Sequence, residues 1–173
     1  MTMQRRPRPR PEPAGKQKLR LWLRLLRASR AIEVDLRERL RVTFGMTLPK
    51  FDVMAALDRN RGGMIMTELS RFLMVSNGNV TGIVDRLVSE GLVVRLAHAG
   101  DRRATFVRLT PKGAQRFQTM ARAHEAWVDE ILAGLSTADA EALIELLGKL
   151  GRRKGVGPSR TVADGESHAG LST

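Results

Sequence analysis

The sequence predicts a mainly α-helical fold with one small β-hairpin. Apolar residues recur at helical spacing over most of residues 18–150, which indicates amphipathic helices. Around residues 93–109 the pattern changes to β-branched and apolar residues on both sides of a polar turn, as is typical of a hairpin. Proline, glycine and charged residues dominate residues 1–17 and 151–173, so both ends are predicted to be disordered tails.

The first predicted helix spans residues 18–44 and ends at Gly45. Its apolar residues lie close to heptad spacing, which is typical of a helix that packs along its length. These residues are Leu19, Trp22, Leu26, Leu36 and Leu40. A second helix is predicted to follow Thr47, whose hydroxyl suits an N-cap, and Pro49 fits its first turn.

Two shorter helices follow, separated by a tight turn. Thr67 is predicted to cap the first, which reaches Phe72, because Glu68 would then lie at the positive end of the helix dipole. Ser76 is predicted to cap the second, which runs until Gly91.

The second of these helices contains two interior glycines, in the stretch SNGNVTGIVDRL. Each costs roughly 1 kcal/mol relative to alanine, so their presence needs a reason other than helix stability. At about 100° per residue, Gly78 and Gly82 lie opposite the apolar stripe. That stripe consists of Val80, Ile83, Val84 and Leu87. We therefore expect the glycines to face outward, where another molecule can approach the helix backbone.

The segment LVVRLAHAGDRRATFVRLT is predicted to form the hairpin, with strands at residues 93–96 and 105–109 around a basic turn. Thr110 and Pro111 are a cap and a first-turn proline, and they open a long helix that extends to about residue 133.

A last helix is predicted to run to about residue 149. Ser136 or Thr137 is suited to cap it.

This order of elements is that of a winged helix-turn-helix enclosed by helices from both termini, and the sequence resembles the MarR family of bacterial transcription regulators. The resemblance is carried by TELSRFL, SNGNVTGIVDRLVSEGLVVR, the wing sequence DRRATFVRLT and the following PKG. It implies a MarR-like domain over residues 18–150. Within this domain the winged helix-turn-helix covers about residues 47–110, and the N- and C-terminal dimerisation helices cover about 18–44 and 111–150.

The resemblance implies that the glycine-containing helix is a recognition helix that lies in the major groove of DNA. Ser76, Asn77 and Asn79 offer hydroxyl and amide groups that can read base edges or phosphates, and the glycines allow close approach. The predicted DNA-binding residues of this helix are Ser76, Asn77, Gly78, Asn79, Thr81, Gly82 and Arg86. The alternative interpretation is that Asn77 and Gly78 only shape the helix start and that Gly82 serves helix packing.

The wing carries Arg102 and Arg103 at its tip, and either can enter the minor groove or bind phosphates. Asp101 is expected to hold one of them through a salt bridge. In MarR-like proteins this aspartate and the second arginine are usually partners, which makes Arg102 the more exposed candidate without deciding between the two. Arg95 and Arg108 flank the strands and fit a solvated face.

The net charge of +12 favours a polyanionic partner, either nucleic acid or an anionic membrane surface, although a merely soluble basic protein has the same composition. Half of the excess lies in residues 1–20, whose Arg-Pro tail either follows phosphates or only solubilises the chain. No apolar run approaches the roughly 20 residues of a membrane span, and no secretory signal is visible. Without cysteine there are no disulfides. We expect a soluble, cytoplasmic protein that does not act at a membrane.

Regulators resembling this family are homodimers, and the terminal helices agree, because their apolar residues exceed what one small winged domain can cover. Those near the C-terminus are Leu132, Leu135, Leu143, Leu146, Leu147 and Leu150. A two-fold dimer would place two recognition helices in successive major grooves, about 10 base pairs apart, on an inverted-repeat operator in double-stranded DNA.

The predicted effector site is less specific. In MarR-like proteins a ligand cleft lies between the dimerisation helices and the winged domain, and Ser29 interrupts the apolar heptads of the first helix with a polar group that needs a partner. The candidate ligand-binding residues are Trp22, Ser29, Arg30, Phe51, Met54, His124 and Trp127. The alternative is core packing for the aromatic residues and Met54, and a solvated face for Arg30.

A narrower resemblance concerns the effector. The runs LRLWLRLLRASRAIE, TLPKFDVMAALDR and MVSNGNVTGIVDRLV look like the branch of the family that controls catabolism of aromatic acids such as hydroxycinnamates. The resemblance implies a repressor released by an aryl-CoA thioester, for example a hydroxycinnamoyl-CoA. Other members bind free phenolic acids or lipophilic drugs, which the residues do not exclude.

Two other classes of function compete with a regulator. An enzyme is disfavoured because His98, His124 and His168 lack metal-ligand spacing and no nucleotide-binding or nucleophile motif is present, so neither a metal nor a cofactor is expected. A sequence-indifferent architectural DNA-binding protein suits the charge and the tails. Its affinity would hardly vary with DNA sequence and would fall steeply with salt.

Overall fold

The computed structural model describes residues 14–98 and 101–151, and for residues 14, 97, 98, 101–105 and 151 only the backbone. Most of both predicted tails therefore lies outside the described residues. The first helix begins earlier than the predicted residue 18, at Ala14, directly after Pro13. The alanine, lysine and glutamine that follow Pro13 favour a helix.

The described residues form six helices and three strands, which confirms the predicted mainly α fold with a small β-ribbon. In chain order they are α1 (Ala14–Phe44), α2 (Leu48–Arg59), β1 (Met64–Ile65), α3 (Met66–Phe72), α4 (Asn77–Ser89), β2 (Val93–His98), β3 (Asp101–Leu109), α5 (Pro111–Ile131) and α6 (Thr137–Gly151).

The β-hairpin gains a third strand that the sequence does not predict. The strands lie in the order β1-β3-β2, all antiparallel, and Met64 of β1 pairs with Val107 of β3. The two residues of β1 are too few to show an alternating pattern, so only the pairing with β3 reveals them as a strand.

The helix caps are mostly those that the sequence predicts. The Ser76 hydroxyl accepts a hydrogen bond from the backbone N–H of Asn79 at 3.4 Å, and the Thr110 hydroxyl accepts one from Gly113 at 3.0 Å. The prediction that Thr67 caps α3 is wrong, because the helix starts at Met66 with Ile65 as its N-cap residue. There the Glu68 carboxylate accepts the backbone N–H of Ile65 at 3.4 Å.

The core lies between α2, α4, the sheet and α5. Its fully buried side chains include Leu40, Met54, Leu57, Leu69, Val80, Val84, Leu87, Leu92, Val107 and Met120. The second half of α1 joins this core through Leu40, and Arg39 pairs with Glu130 of α5 at 2.6 Å. Arg116 of α5 also donates to the backbone carbonyl of Phe44, at 3.0 Å.

Three elements meet at residues 90–92 and 110–113, a contact that we name the Leu92 joint. Gly91 turns the chain out of α4 with φ of +68°, which favours glycine. Thr110 then donates twice, from its hydroxyl to the Gly91 carbonyl at 2.8 Å and from its backbone N–H to the Leu92 carbonyl at 3.0 Å. Lys112 donates to the Glu90 carbonyl at 3.1 Å. The joint therefore binds the end of α4, the start of β2 and the first turn of α5 together.

Gly113 allows this close packing. A Cβ atom at this position would lie 1.9 Å from the Leu92 carbonyl oxygen, which is backbone and cannot rotate away. Any side chain therefore has to push α5 off the wing. The glycine of the PKG motif is thus required by sterics at the joint.

The Gly113→Ala variant is expected to lose about 2–3 kcal/mol of unfolding free energy, because even one extra methyl overpacks a site that has no room. Urea denaturation would measure the loss. Gly82→Ala is the matched control, since a Cβ there meets nothing within 4 Å, and it should gain up to about 1 kcal/mol from helix propensity. Equal stability of the wild type and Gly113→Ala would contradict the steric argument.

The chain divides into two compact units, and the boundary along the sequence falls between Leu132 and Ala133. In the second unit the described structure is essentially α6, capped as predicted by Ser136, whose hydroxyl accepts from the backbone N–H of Asp139 at 3.2 Å. Its large apolar side chains, Leu143, Ile144, Leu146, Leu147 and Leu150, are all exposed. Over the described ranges, no helix has the length and apolar character needed to cross a membrane.

Candidate nucleic-acid interface

Helix α4 has two sharply different faces. Val80, Val84 and Leu87 are fully buried, which confirms the predicted apolar stripe. Gly78 and Gly82 are exposed, and a Cβ atom built on either would meet nothing within 4 Å. Burial of three such side chains contributes about 1.5–3 kcal/mol each, which outweighs the roughly 1 kcal/mol cost of each glycine. The protein can therefore keep an open backbone on the outer face without losing the helix.

The polar residues at the start of α4 differ in what they already bind. The Asn77 side-chain oxygen lies within hydrogen-bond distance of the Ser70 hydroxyl, and Ser70 is buried in α3. This side chain therefore holds α3 to α4, as the alternative interpretation of Asn77 suggests. Ser76 is engaged as the cap, and the Thr81 hydroxyl donates to the Asn77 carbonyl at 2.8 Å. Asn79 is exposed on the same turn.

The rest of the outer face carries Asp85, Arg86 and Ser89, all exposed. The Asp85 carboxylate forms a salt bridge of 2.8 Å with Arg95 of strand β2. Arg95 is predicted from the sequence only to lie on a solvated face, and this contact was not expected. No sequence signal could have revealed it, because it joins a helix to a strand across the fold.

The wing residues predicted to contact DNA cannot be placed by their side chains. Asp101, Arg102 and Arg103 belong to β3, but their side chains lie outside the described residues. Arg102 therefore stays the more exposed candidate for DNA contact by prediction from the sequence, with Arg103 as the alternative.

The seven predicted ligand-binding residues fall into two groups. Trp22, Ser29 and Arg30 are exposed on α1, whereas Phe51 and Met54 are buried in the core and His124 and Trp127 are half-buried on α5. Two surface cavities of the described chain have volumes of about 230 and 710 Å³, and none of the seven residues lines either of them. The single chain thus does not bring the predicted set into one pocket, and Phe51 and Met54 pack as the alternative interpretation holds.

Aromatic rings nevertheless cluster where α2 and α5 meet. Phe51 stacks on His124 with ring centres 4.7 Å apart and lies 5.4 Å from the ring of Phe117. Phe44 at the end of α1 and Trp127 of α5 form a further, tilted pair with ring centres 6.0 Å apart. Burial lowers the pKa of His124, so the neutral imidazole is favoured in the folded protein.

The ionised carboxylate of Asp52, the neighbour of Phe51, is disfavoured in the folded protein. Desolvation by neighbouring groups raises its pKa from 3.8 to about 6, and the carboxylate of Glu33 adds to the rise, although the residue as a whole is exposed. The folded protein therefore binds a proton at Asp52 more tightly than the unfolded chain does. This contribution to stability is present at low pH and is lost as the pH rises through about 6.

Asp52→Asn is expected to raise the melting temperature near neutral pH, because it removes a charge that folding disfavours. The gain should shrink as the pH falls below about 6 and vanish below about 3, where the carboxyl is protonated in both states. Thermal melts across this range would measure it. Glu33→Gln should give a smaller gain of the same sign, whereas a gain that is independent of pH would point to packing instead of ionisation.

A helix-turn-helix flanked by a β-ribbon is the architecture of the winged helix class of DNA-binding proteins. Comparisons with known proteins lead to the same class. The profile of the MarR family matches residues 44–104. The HTH-type transcriptional regulator MhqR of Bacillus subtilis is 28% identical over 136 residues, which make up 79% of this chain and 92% of MhqR.

Solved structures lead to the same family. A MarR family transcriptional regulator from Silicibacter pomeroyi is 38% identical with a TM-score of 0.66, and the match covers 79% of this chain and 94% of that one. A mutant MarR from E. coli, crystallised with operator DNA, is 26% identical with a TM-score of 0.69, over 80% of this chain and 99% of that one. The chain belongs to the MarR family of DNA-binding transcriptional regulators. Membership in this family argues for regulation and against catalysis.

Proposed function

We propose that the protein is a homodimeric, ligand-responsive repressor that acts in the cytoplasm on an inverted-repeat operator. In this proposal α4 lies in the major groove and the wing reaches the minor groove. An aromatic effector, such as a hydroxycinnamoyl-CoA thioester, releases the protein from DNA.

The observation that carries the DNA part of the proposal is the open outer face of α4. Gly78 and Gly82 leave its backbone uncovered, while Val80 and Val84 fix the opposite side to the core. A helix that is anchored on one side and bare on the other can enter a groove closely. Asn79, on the exposed first turn, supplies an amide that suits adenine. The likeness to a MarR protein crystallised with operator DNA supports the same placement.

Charge and chain direction support a role for the wing. Arg102 and Arg103 lie near the start of β3, at the far end of the ribbon from the Leu92 joint. Arginine at such a tip suits the narrow, electronegative minor groove. We propose that one of the two contacts DNA there.

Exposed apolar residues support a homodimer. The first half of α1 exposes Leu19, Leu21 and Trp22 by more than half of their surface, and α6 exposes Ile144 by 70%. Apolar surface on this scale, on two separate helices, is suited to burial against a second copy of the chain. The two-fold symmetry of such a dimer requires an inverted repeat.

The Gly82→Leu variant tests the placement of α4. It is expected to fold, because the position faces open space, and to lose operator binding, because the new side chain would collide with the groove floor. A thermal melt and a DNA titration measure these two properties, with a duplex selected in vitro by the wild-type protein. Light scattering should give both proteins the mass of a dimer. Gly82→Ala, which adds only one methyl group at the same open position, is the control for the size of the added side chain.

Two outcomes would contradict the placement. If Gly82→Leu unfolds the protein, the glycine serves internal packing. If the variant folds and binds the operator normally, α4 does not enter the groove by this face.

The effector part of the proposal rests on the sequence resemblance and on the ring cluster of Phe44, Phe51, Phe117, His124 and Trp127. The half-buried rings of His124 and Trp127 on α5 suit an aromatic ligand, which can pack on them at centre distances of about 4.5–7 Å, whereas Phe51 and Phe117 are buried. Cations on α1, such as the exposed Arg30, suit the phosphates of coenzyme A.

Titration of the protein–operator complex with hydroxycinnamoyl-CoA is expected to release the DNA, with fluorescence anisotropy of labelled DNA as the measurement. Coenzyme A alone and the free hydroxycinnamate are the two controls. Release by the free acid alone would replace the thioester with a phenolic acid as effector. Release by coenzyme A alone would show that the aromatic group is not recognised.

A sequence-indifferent architectural role is the competing function, and the charge of +12 favours it. Titrations of the wild-type protein with the selected duplex and with a random duplex decide between a sequence-specific regulator and an architectural protein. Equal affinity for the selected and random duplexes would identify the architectural protein.

A further inference from the structure

A carboxylate lies on the face of α4 that is proposed to meet DNA. Asp85 is the sole acidic residue of this helix, and at 100° per residue it falls on the same line as Gly78 and Gly82. Its side chain is 54% exposed. A negative charge there opposes the approach of phosphates, so its presence needs an explanation.

The partner of Asp85 comes from the wing. Arg95 lies opposite Val107 in the β2–β3 ladder, and Val107 is buried, so Arg95 projects from the face of the sheet turned towards the core and α4. Its Nη1 atom lies 2.8 Å from the Asp85 Oδ1 atom. Since the Arg95 side chain is still 36% exposed, its guanidinium keeps N–H groups available to solvent beside the outer face of α4.

We propose that Arg95 binds a DNA phosphate and that Asp85 is the residue that positions it. This inference rests on the proposed function, because it requires α4 to face DNA. A free arginine loses side-chain entropy when it binds a phosphate, whereas one already held by a carboxylate has lost part of it beforehand. The guanidinium can bind the carboxylate through one N–H and a phosphate through the others.

The direction in which Asp85→Asn changes DNA affinity distinguishes positioning from simple repulsion. Asp85→Asn removes a negative charge from the DNA-facing surface, yet it should weaken binding roughly three- to tenfold, because Arg95 is no longer held. Arg95→Ala should weaken binding by about tenfold and make the dependence of log K on log salt shallower by about one unit. Both effects should appear on the selected and the random duplex alike, since phosphate contacts carry no sequence information.

The double variant Asp85→Asn/Arg95→Ala shows how Asp85 acts on DNA binding when there is no Arg95 for it to position. Without Arg95, Asp85 can only repel phosphates, so the added Asp85→Asn change should tighten binding relative to Arg95→Ala alone. Asp85→Glu keeps the carboxylate and should recover part of the wild-type affinity and salt dependence. Arg108→Ala is the matched control, because Arg108 lies on β3 opposite Val94 and projects from the other face of the ribbon; it should leave the salt dependence unchanged.

DNA titrations by anisotropy at several salt concentrations, with thermal melts of every variant, provide the measurements. Tighter binding by Asp85→Asn in the wild-type background would overturn the inference and identify Asp85 as simply repulsive. An unchanged salt dependence in Arg95→Ala would overturn the phosphate contact. If Asp85→Asn does not fold, Asp85→Glu and Arg95→Ala still decide the question. If the wild-type protein binds neither duplex, the proposed function fails first, and this inference fails with it.

Discussion

The carbonyl oxygen of Leu92 is the point on which the arrangement of the winged domain depends. It accepts the backbone N–H of Thr110, and it lies so close to Gly113 that no side chain fits there. Each hydrogen bond at the joint contributes only about 1 kcal/mol, whereas a side chain at residue 113 would have to displace α5. The joint therefore holds α4, the β-ribbon and α5 in one close arrangement. The proposed approach of α4 and the wing to DNA depends on that arrangement.

The face of α4 that points outward is shaped by a balance of opposing requirements. Its glycines weaken the helix, and its carboxylate opposes phosphates, so neither is favourable for the isolated element. Both become tolerable through contacts elsewhere, because Val80, Val84 and Leu87 anchor the inner side and Arg95 neutralises Asp85. A face that is costly by itself and supported from behind is typical of a surface kept for a partner.

Local patterns predicted most of this fold, and contacts between distant residues account for the rest. The stripe on α4 and the Ser76 cap could be predicted because they involve spacings of three or four residues. Strand β1 could not, since it exists only through pairing with β3. The tight turn after α3 was predicted, but its left-handed residue was not, because Met74 has φ of +53° where glycine would be expected. The Asp85–Arg95 pair and the engagement of Asn77 by Ser70 depend on how the helices and the ribbon pack.

The Leu92 joint also limits how the proposed effector can act on the proposed DNA-binding surface. Lys112 and Thr110 donate to the carbonyls of Glu90 and Gly91, so the first turn of α5 is attached directly to the end of α4. The ring cluster lies farther along the same helix, where Phe117 and His124 face Phe51. Recognition helices in a dimer must match half-sites about 34 Å apart. A ligand that tilts α5 against α2 would thus change this separation directly, without any need to unfold the wing or loosen α4.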